Sequence, residues 1–261
     1  MRILFVGDVY GKIGREMLCR SLPLLVEKNK PDWVIVNGEN ATSGNGLSDK
    51  HARYIKNCGA QIITSGNHIF ARQDWQQLLA KDEDILRPHN LVSESSPGSG
   101  IKIFSAAGRP DLAVFNIAGR VFMSGGTCPF RCFDKLYGKI SPDVPLFVDF
   151  HAEATSEKIA FFWHVDGRAS AVAGTHTHVQ TSDARVLPGG TAVITDAGMT
   201  GPLNGVIGVE RDTILSRFTR GYSDRFQCAG DPAKIEGVIV DIGADKKAQA
   251  IEAFRETDSQ N

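Results

Sequence analysis

Short apolar, β-branched runs punctuate the first part of the chain: RILFV (2–6), WVIVN (33–37) and AQIITS (60–65), each followed by a glycine turn and a helix-like stretch. Runs of this length bounded by turns read as buried strands. Between the first two, REMLCRSLPLLVEKNK carries apolar residues at helical spacing, with Pro23 expected to bend or break the helix. Segments around 48–58 and 73–80 read as helices in the same way. Strand and helix in alternation imply parallel β-α units, whose ligands bind at the carboxyl ends of the strands.

From residue 101 the pattern tightens. IKIFSAAG, LAVFNIAG, RVFMSGG, PLFVDFHAEA, SAVAGTHTH, ARVLPGG and TAVITDAG read as closely spaced strands with glycine turns. Helical spacing is expected there only over 154–167 and 208–218. The expected fold is α/β, a four-layer sandwich of two packed mixed β-sheets flanked by helices. A single domain over 1–261 is expected, with a small cap or loop insertion around 70–105. SESSPGSG (93–100) reads as a mobile polar loop, RCFDKLYGK (131–139) as a solvated loop, and the final ETDSQN as a frayed end.

Composition narrows the class. At 261 residues and 42% hydrophobic, the chain can bury one substantial core. Charge is balanced, 29 Lys+Arg against 30 Asp+Glu, so nothing global favours duplex nucleic acid or an anionic membrane, and phosphate recognition must be local. The apolar run before Gly7 is too short for a signal-peptide core, and no stretch is long enough to span a bilayer, so a cytoplasmic protein is expected. Cys19, Cys58, Cys128, Cys132 and Cys228 are odd in number and scattered, which fits reduced thiols better than a disulfide framework. CPFRC (128–132) has no second cysteine pair, which argues against structural zinc.

Polar residues of one chemical kind end nearly every expected strand. Asp8 follows RILFVG, Glu39 and Asn40 follow WVIVNG, Asn67 and His68 follow QIITSG, His151 follows PLFVDF, and His176 and His178 follow SAVAGT. In an extended chain His176 and His178 would project to one side. Singly, each residue reads as a turn former, a cap or a satisfied histidine, the reading given to His51, His89 and His164. Together, carboxylates, amides and imidazoles at one end of neighbouring strands are costly to bury without compensation, and a metal centre supplies it. Imidazole, carboxylate and amide oxygen without thiolate suit Mn, Fe, Zn, Co or Ni rather than calcium or an iron–sulfur cluster. Asp8, Glu39, Asn40, Asn67, His151, His176 and His178 exceed what one ion can use, so two ions sharing a bridge are expected. Such pairs, roughly 3.5–4 Å apart, serve in-line displacement at phosphorus.

Rival motifs fail. GDVYGKIG has the wrong first spacing for a dinucleotide loop, and Ile13 stands where a phosphate-binding loop needs Ser or Thr. No G-x-S-x-G occurs.

In order along the chain, GDVY, NGEN, SGNHIF, DFHAE and GTHTH resemble the calcineurin-like metallophosphoesterase blocks D-x-H, G-D-x-x-D, G-N-H-D/E, H and G-H-x-H. Tyr10 replaces the histidine of the first block, and Glu39 replaces the bridging aspartate. With NGENATSGNGL, DFHAEATSEK, GTHTHVQTSD and TDAGMTGP, these departures resemble the YmdB-like branch of bacterial cyclic-nucleotide phosphodiesterases over residues 1 to about 218.

The resemblance implies one ion on Asp8, Glu39, Asn40 and His178 and a second on Glu39, Asn67, His151 and His176, with Asn40 filling the place left by Tyr10. It implies His68 as a catalytic residue that is not a ligand, donating a proton to the leaving alkoxide while a metal-bridging hydroxide attacks phosphorus. It also implies two divalent or trivalent transition-metal ions, iron first and Mn or Zn next, and a small phosphodiester substrate. Cyclic nucleotides of the 2′,3′ type lead and the 3′,5′ type follow. The alternatives are a phosphomonoesterase, a nuclease, or a metal-containing regulatory protein without turnover. RNA ends stay open as substrates without sequence support, no membrane partner is expected, and a homo-oligomer is expected on general grounds.

Overall fold

The computed structural model describes residues 1–223, 225–230 and 232–258. The amino-terminal half runs β1 (Arg2–Val6), β2 (Asp8–Val9), α1 (Gly11–Asn29), β3 (Trp33–Asn37), α2 (Asp49–Asn57), β4 (Ile62–Thr64), a 3-10 turn (Asn67–Ala71) and α3 (Trp75–Lys81). There follow β5 (Ile101–Phe104), β6 (Leu112–Ala118), α4 (Pro129–Tyr137), β7 (Leu146–His151), α5 (Thr155–Val165), β8 (Ala171–Thr175), β9 (Arg185–Val186) and β10 (Ala192–Ile194). The chain closes with β11 (Met199–Pro202), α6 (Arg211–Arg220), β12 (Ala233–Ile242) and β13 (Ala248–Thr257).

Two mixed sheets form, ordered β2-β11-β12-β1-β3-β4, with β13 beside β12, and β5-β6-β7-β8-β10-β9. The period of two along each strand sorts the layers. In β1, Ile3 and Phe5 face the second sheet and pack with Val114, Phe147, Ala171 and Ile194. Leu4 and Val6 face outward onto Leu18, Leu22 and Leu25 of α1 and Ile55 of α2. The far side of the second sheet buries Phe115, Val148 and Phe150 against Phe133 of α4 and Phe161 and Phe162 of α5. The result is the four-layer α/β sandwich that the strand pattern implies. Leu78, Leu79 and Ile85, from the 70–105 stretch, pack into the α1 side of the core.

Several local expectations give way. Pro23 lies on the exposed side of α1, where its missing donor costs least, and the helix continues through it. RVFMSGG forms a turn rather than a strand, with Phe122 at φ 61°. Residues 129–137 form α4 rather than a loop, because Cys132, Phe133 and Leu136 supply a buried face. The 93–100 loop is tethered by the buried Arg87, whose guanidinium donates to the carbonyls of Ser93, Ser96 and Pro97. Of the tail, Glu256 and Thr257 pair with Ile235 and Lys234, Asp258 lies beyond the strand, and Ser259, Gln260 and Asn261 lie outside the described residues. Among the described residues no helix is long and apolar enough to cross a membrane.

Candidate metal centre

The parallel core strands β1, β3 and β4 of one sheet, and β7 and β8 of the other, deliver their carboxyl ends to one place. Glu39 is fully buried there and is shared by two groups of side chains whose ligand atoms lie within 4.8 Å of one another: Glu39, His151 and His176, and Asp8, Glu39 and His178. Asn67 joins the first, its Oδ1 3.1 Å from His151 Nε2. Asn40 joins the second, its amide 2.7 Å from Glu39 Oε1 and 3.2 Å from His178 Nε2. His68 stands at the rim, 41% exposed, with Nδ1 2.7 Å from Asn40 Oδ1. All eight residues singled out at the strand ends therefore meet.

The tautomers are set from behind. Thr175 Oγ1 donates to Asp149 at 2.7 Å and so accepts from His151 Nδ1 at 2.9 Å, leaving Nε2 of His151 as a lone pair. That lone pair faces Glu39 Oε2 at 3.3 Å and His176 Nδ1 at 3.0 Å. His178 Nδ1 donates to the Ile207 carbonyl at 2.8 Å, so its Nε2 also points inward as a lone pair. Asp8 Oδ1 is buried with no hydrogen-bond partner. A Cβ built on Gly66 would fall 2.1 Å from Glu39 Oε2 and 2.2 Å from His151 Nε2, so only glycine leaves the space between them open.

The electrostatics point the same way. Burial, and then the neighbouring charge of Glu39, push the Asp8 carboxyl well above its ordinary range. Burial pushes Glu39 up to about 8. Burial drives His151 well below the usual imidazole value, lowers His178, and brings His176 down to about 4. Protons are unwelcome on the imidazoles and negative charge is uncompensated on the carboxylates. A multivalent cation between them answers both, so the residues present fit a transition-metal site.

His176 and His178 reach the two groups by a different route from the one the pattern suggests. β8 stops at Thr175, and the histidines adopt positive φ of 103° and 63°. The turn, not strand alternation, aims them. Several contributors were not singled out in the sequence. Glu153 Oε2 lies 3.2 Å from His176 Nε2, and its signal is its place two residues after His151 in DFHAE. Asp149 lies between the sheets and accepts from Thr64 Oγ1, Thr175 Oγ1 and Asn37 Nδ2 at 2.5, 2.7 and 2.9 Å. The signal there is a polar residue inside each apolar run. Tyr10, singled out in the sequence as the departure from the first block, presents its ring edge-on to His178 at 5.7 Å.

A family model described as YmdB-like protein matches residues 4–254. The chain belongs to the YmdB-like family. The match extends well past residue 218 and takes in β12 and most of β13. A 2′,3′-cyclic-nucleotide 2′-phosphodiesterase of Bacillus subtilis (strain 168) is 46% identical over 254 residues, covering 97% of this chain and 96% of that one. The crystal structure of a novel phosphatase of Mycoplasma pneumoniae superposes with a TM-score of 0.92 at 36% identity, covering 98% and 93% of the two chains. A 5′-nucleotidase precursor of Thermus thermophilus shares the fold alone, with a TM-score of 0.60 at 10% identity over 98% of this chain and 54% of that one. In this YmdB-like chain, Glu39 stands at the centre of the strand-end cluster.

Proposed function

We propose that this YmdB-like chain is a metal-dependent phosphodiesterase that opens 2′,3′-cyclic nucleotides. The observation that carries this reading is the pair of buried donor groups joined through Glu39, with the ring lone pairs of His151 and His178 turned inward. Asp8, Glu39, Asn40 and His178 would hold one ion, and Glu39, Asn67, His151 and His176 the other. When bound, the ions supply an activated water and neutralise charge on the phosphoryl oxygens.

The side chains do the remainder. Thr175 and Asp149 keep the proton of His151 on Nδ1, and Ile207 keeps that of His178 on Nδ1, so both present basic nitrogens. Asn40 links the centre to His68. Its Oδ1, 2.7 Å from His68 Nδ1, accepts from that nitrogen and keeps a second lone pair, so the imidazolium form of His68 carries its other proton on Nε2. As water adds to phosphorus through its oxygen and the P–O2′ bond breaks, the Nε2 proton of the imidazolium goes to the leaving 2′-oxygen and the proton lost by the water goes to solvent, giving a 3′-phosphate and a neutral His68 that is reprotonated from solvent. The relative from Bacillus is named for this substrate class, which supports the 2′,3′ assignment; no similarity speaks for 3′,5′-cyclic nucleotides.

Elemental analysis together with hydrolysis of 2′,3′-cyclic AMP tests the reading. Two transition-metal ions per chain with turnover is the expected result, and the same analysis identifies the metal. Full occupancy with no turnover of any phosphodiester would replace it with a regulatory binding role, and preference for p-nitrophenyl phosphate would replace it with a phosphomonoesterase.

His68→Ala is expected to lower kcat by about 10²–10⁴-fold, the range for loss of a general acid, with metal content unchanged. Loss of both ions in this variant would make His68 a ligand. Returning iron(II), manganese or zinc to chelator-stripped protein is expected to raise Tm by about 5–10 °C near a hundredfold excess over Kd. His176→Ala should reduce that rise. A rise unaltered by the substitution would place the ion elsewhere.

A further inference from the structure

Arg131 and Lys135 lie four residues apart on α4 and share a face. That face closes a cavity of about 490 Å³ with Arg120, His89 and Thr127. Asp134 does not neutralise it. Its carboxylate turns to α5 and the residues after it, accepting from Arg168 Nη1 at 2.7 Å and meeting His164 Nε2 at 3.0 Å. Among the described residues, the guanidinium groups of Arg120 and Arg131 have no ion-pair partner, and both ring nitrogens of His89 are buried without a hydrogen bond.

Glu94 is the one carboxylate in the lining. Its Oε1 lies 2.5 Å from Lys135 Nζ and 3.7 Å from His89 Nε2, on a side chain that is 53% exposed. Arg87 fixes the backbone on either side through the carbonyls of Ser93 and Ser96, so the Glu94 side chain is free to turn out while the loop stays. The protein thus rests one of its own anions against a cationic wall.

One residue of the cavity lining, Arg120, lies two residues past the end of β6, beside the strand that ends in His151. Ala118 pairs in register with His151, the amide of Gly119 donates to the His151 carbonyl at 2.9 Å, and Arg120 follows directly. Guanidinium forks match phosphate bidentately, and a row of cations beside a phosphodiester site suits a strand carrying more than one phosphate.

We propose that this cavity is a subsite for a backbone phosphate of an oligoribonucleotide whose 2′,3′-cyclic end occupies the Glu39-centred site. Arg120, Arg131 and Lys135 take the phosphate and Glu94 is displaced by it. This rests on the phosphodiesterase reading above and extends it from mononucleotides to RNA ends.

The test compares 2′,3′-cyclic AMP with a tetraribonucleotide ending in a 2′,3′-cyclic phosphate, for metal-loaded wild type, Arg131→Ala/Lys135→Ala and Glu94→Gln. In wild type, kcat/KM is expected to be about tenfold higher on the tetranucleotide, with a KM that rises steeply with salt. The double variant should lose that advantage through KM and keep wild-type turnover of the mononucleotide, whereas Glu94→Gln should enlarge the advantage about two- to threefold. Equal efficiency on the two substrates in wild type, or an equal loss on both in the double variant, overturns the subsite. So does inorganic phosphate that alters mononucleotide turnover through Arg131 and Lys135 with no tetranucleotide preference, since the cavity then takes a free anion. Absence of turnover of both substrates in wild type would remove the phosphodiesterase reading and the subsite with it.

Discussion

Glu39→Gln is expected to remove hydrolysis of 2′,3′-cyclic AMP by more than about 10³-fold, beyond the roughly 10²–10³ lost with a single charge-stabilising donor. Glu39 is the residue common to both donor groups, so its charge serves two sites at once. Glutamine keeps the shape and keeps an acceptor for either the Asn40 amide or the His68 backbone N–H, which now reach separate oxygens at 2.7 and 3.2 Å. What it removes is the negative charge. Metal content should fall below two per chain in elemental analysis of the purified variant. Folding of the metal-free protein should not suffer, because burial raises the Glu39 carboxyl to about 8 and disfavours its charged form at neutral pH. A melt of the stripped variant at or above wild type, beside a dead enzyme, separates this from general damage. Two ions retained with turnover intact would show that Glu39 does not bridge.

The strand-end cluster was legible because each of its residues closely follows an apolar run, where a polar side chain has no structural reason to recur five times over. What supports the cluster was not legible. Asn37 and Thr64 belong to one sheet, Asp149 and Thr175 to the other, and their meeting depends on how two sheets register face to face. Nothing local encodes that. β12 escaped because Lys234 and Glu236 interrupt its apolar run, although they pair with each other at 2.7 Å while buried. α4 escaped because Asp134 and the basic residues mask its apolar face. The geometry of His176 and His178 was misjudged for a physical reason: extended alternation is the default, and a positive φ at two non-glycine residues appears only where the surroundings enforce it.

Lys158→Met tests that enforcement, and should cost about 3–5 kcal/mol of stability, the range for stranding one member of a buried ion pair. Lys158 is fully buried, with Nζ 2.9 Å from Asp196 Oδ2. The same oxygen accepts from the Thr177 amide at 3.0 Å and the Thr177 hydroxyl at 2.7 Å, while Oδ1 accepts from the Gly198 amide at 2.9 Å. Thr177 is the residue between the two histidines, each held in a conformation that costs about 1–3 kcal/mol. Asp196 therefore grips the middle of the strained turn, and Lys158 anchors Asp196. Without the lysine the buried carboxylate loses its counter-charge and its anchor, so the acceptors that hold Thr177 are no longer fixed in place. Metal affinity should then fall about 10–100-fold, as for other residues that orient ligands from behind. Denaturant unfolding of the stripped protein measures the first effect and metal titration the second. Lys158→Met/Asp196→Asn should regain part of the stability, because both charges leave together, but not the affinity, because an amide cannot accept at both positions. A loss below about 1 kcal/mol in the single variant would mean that the pair behaves like a solvated one and that other contacts hold the turn.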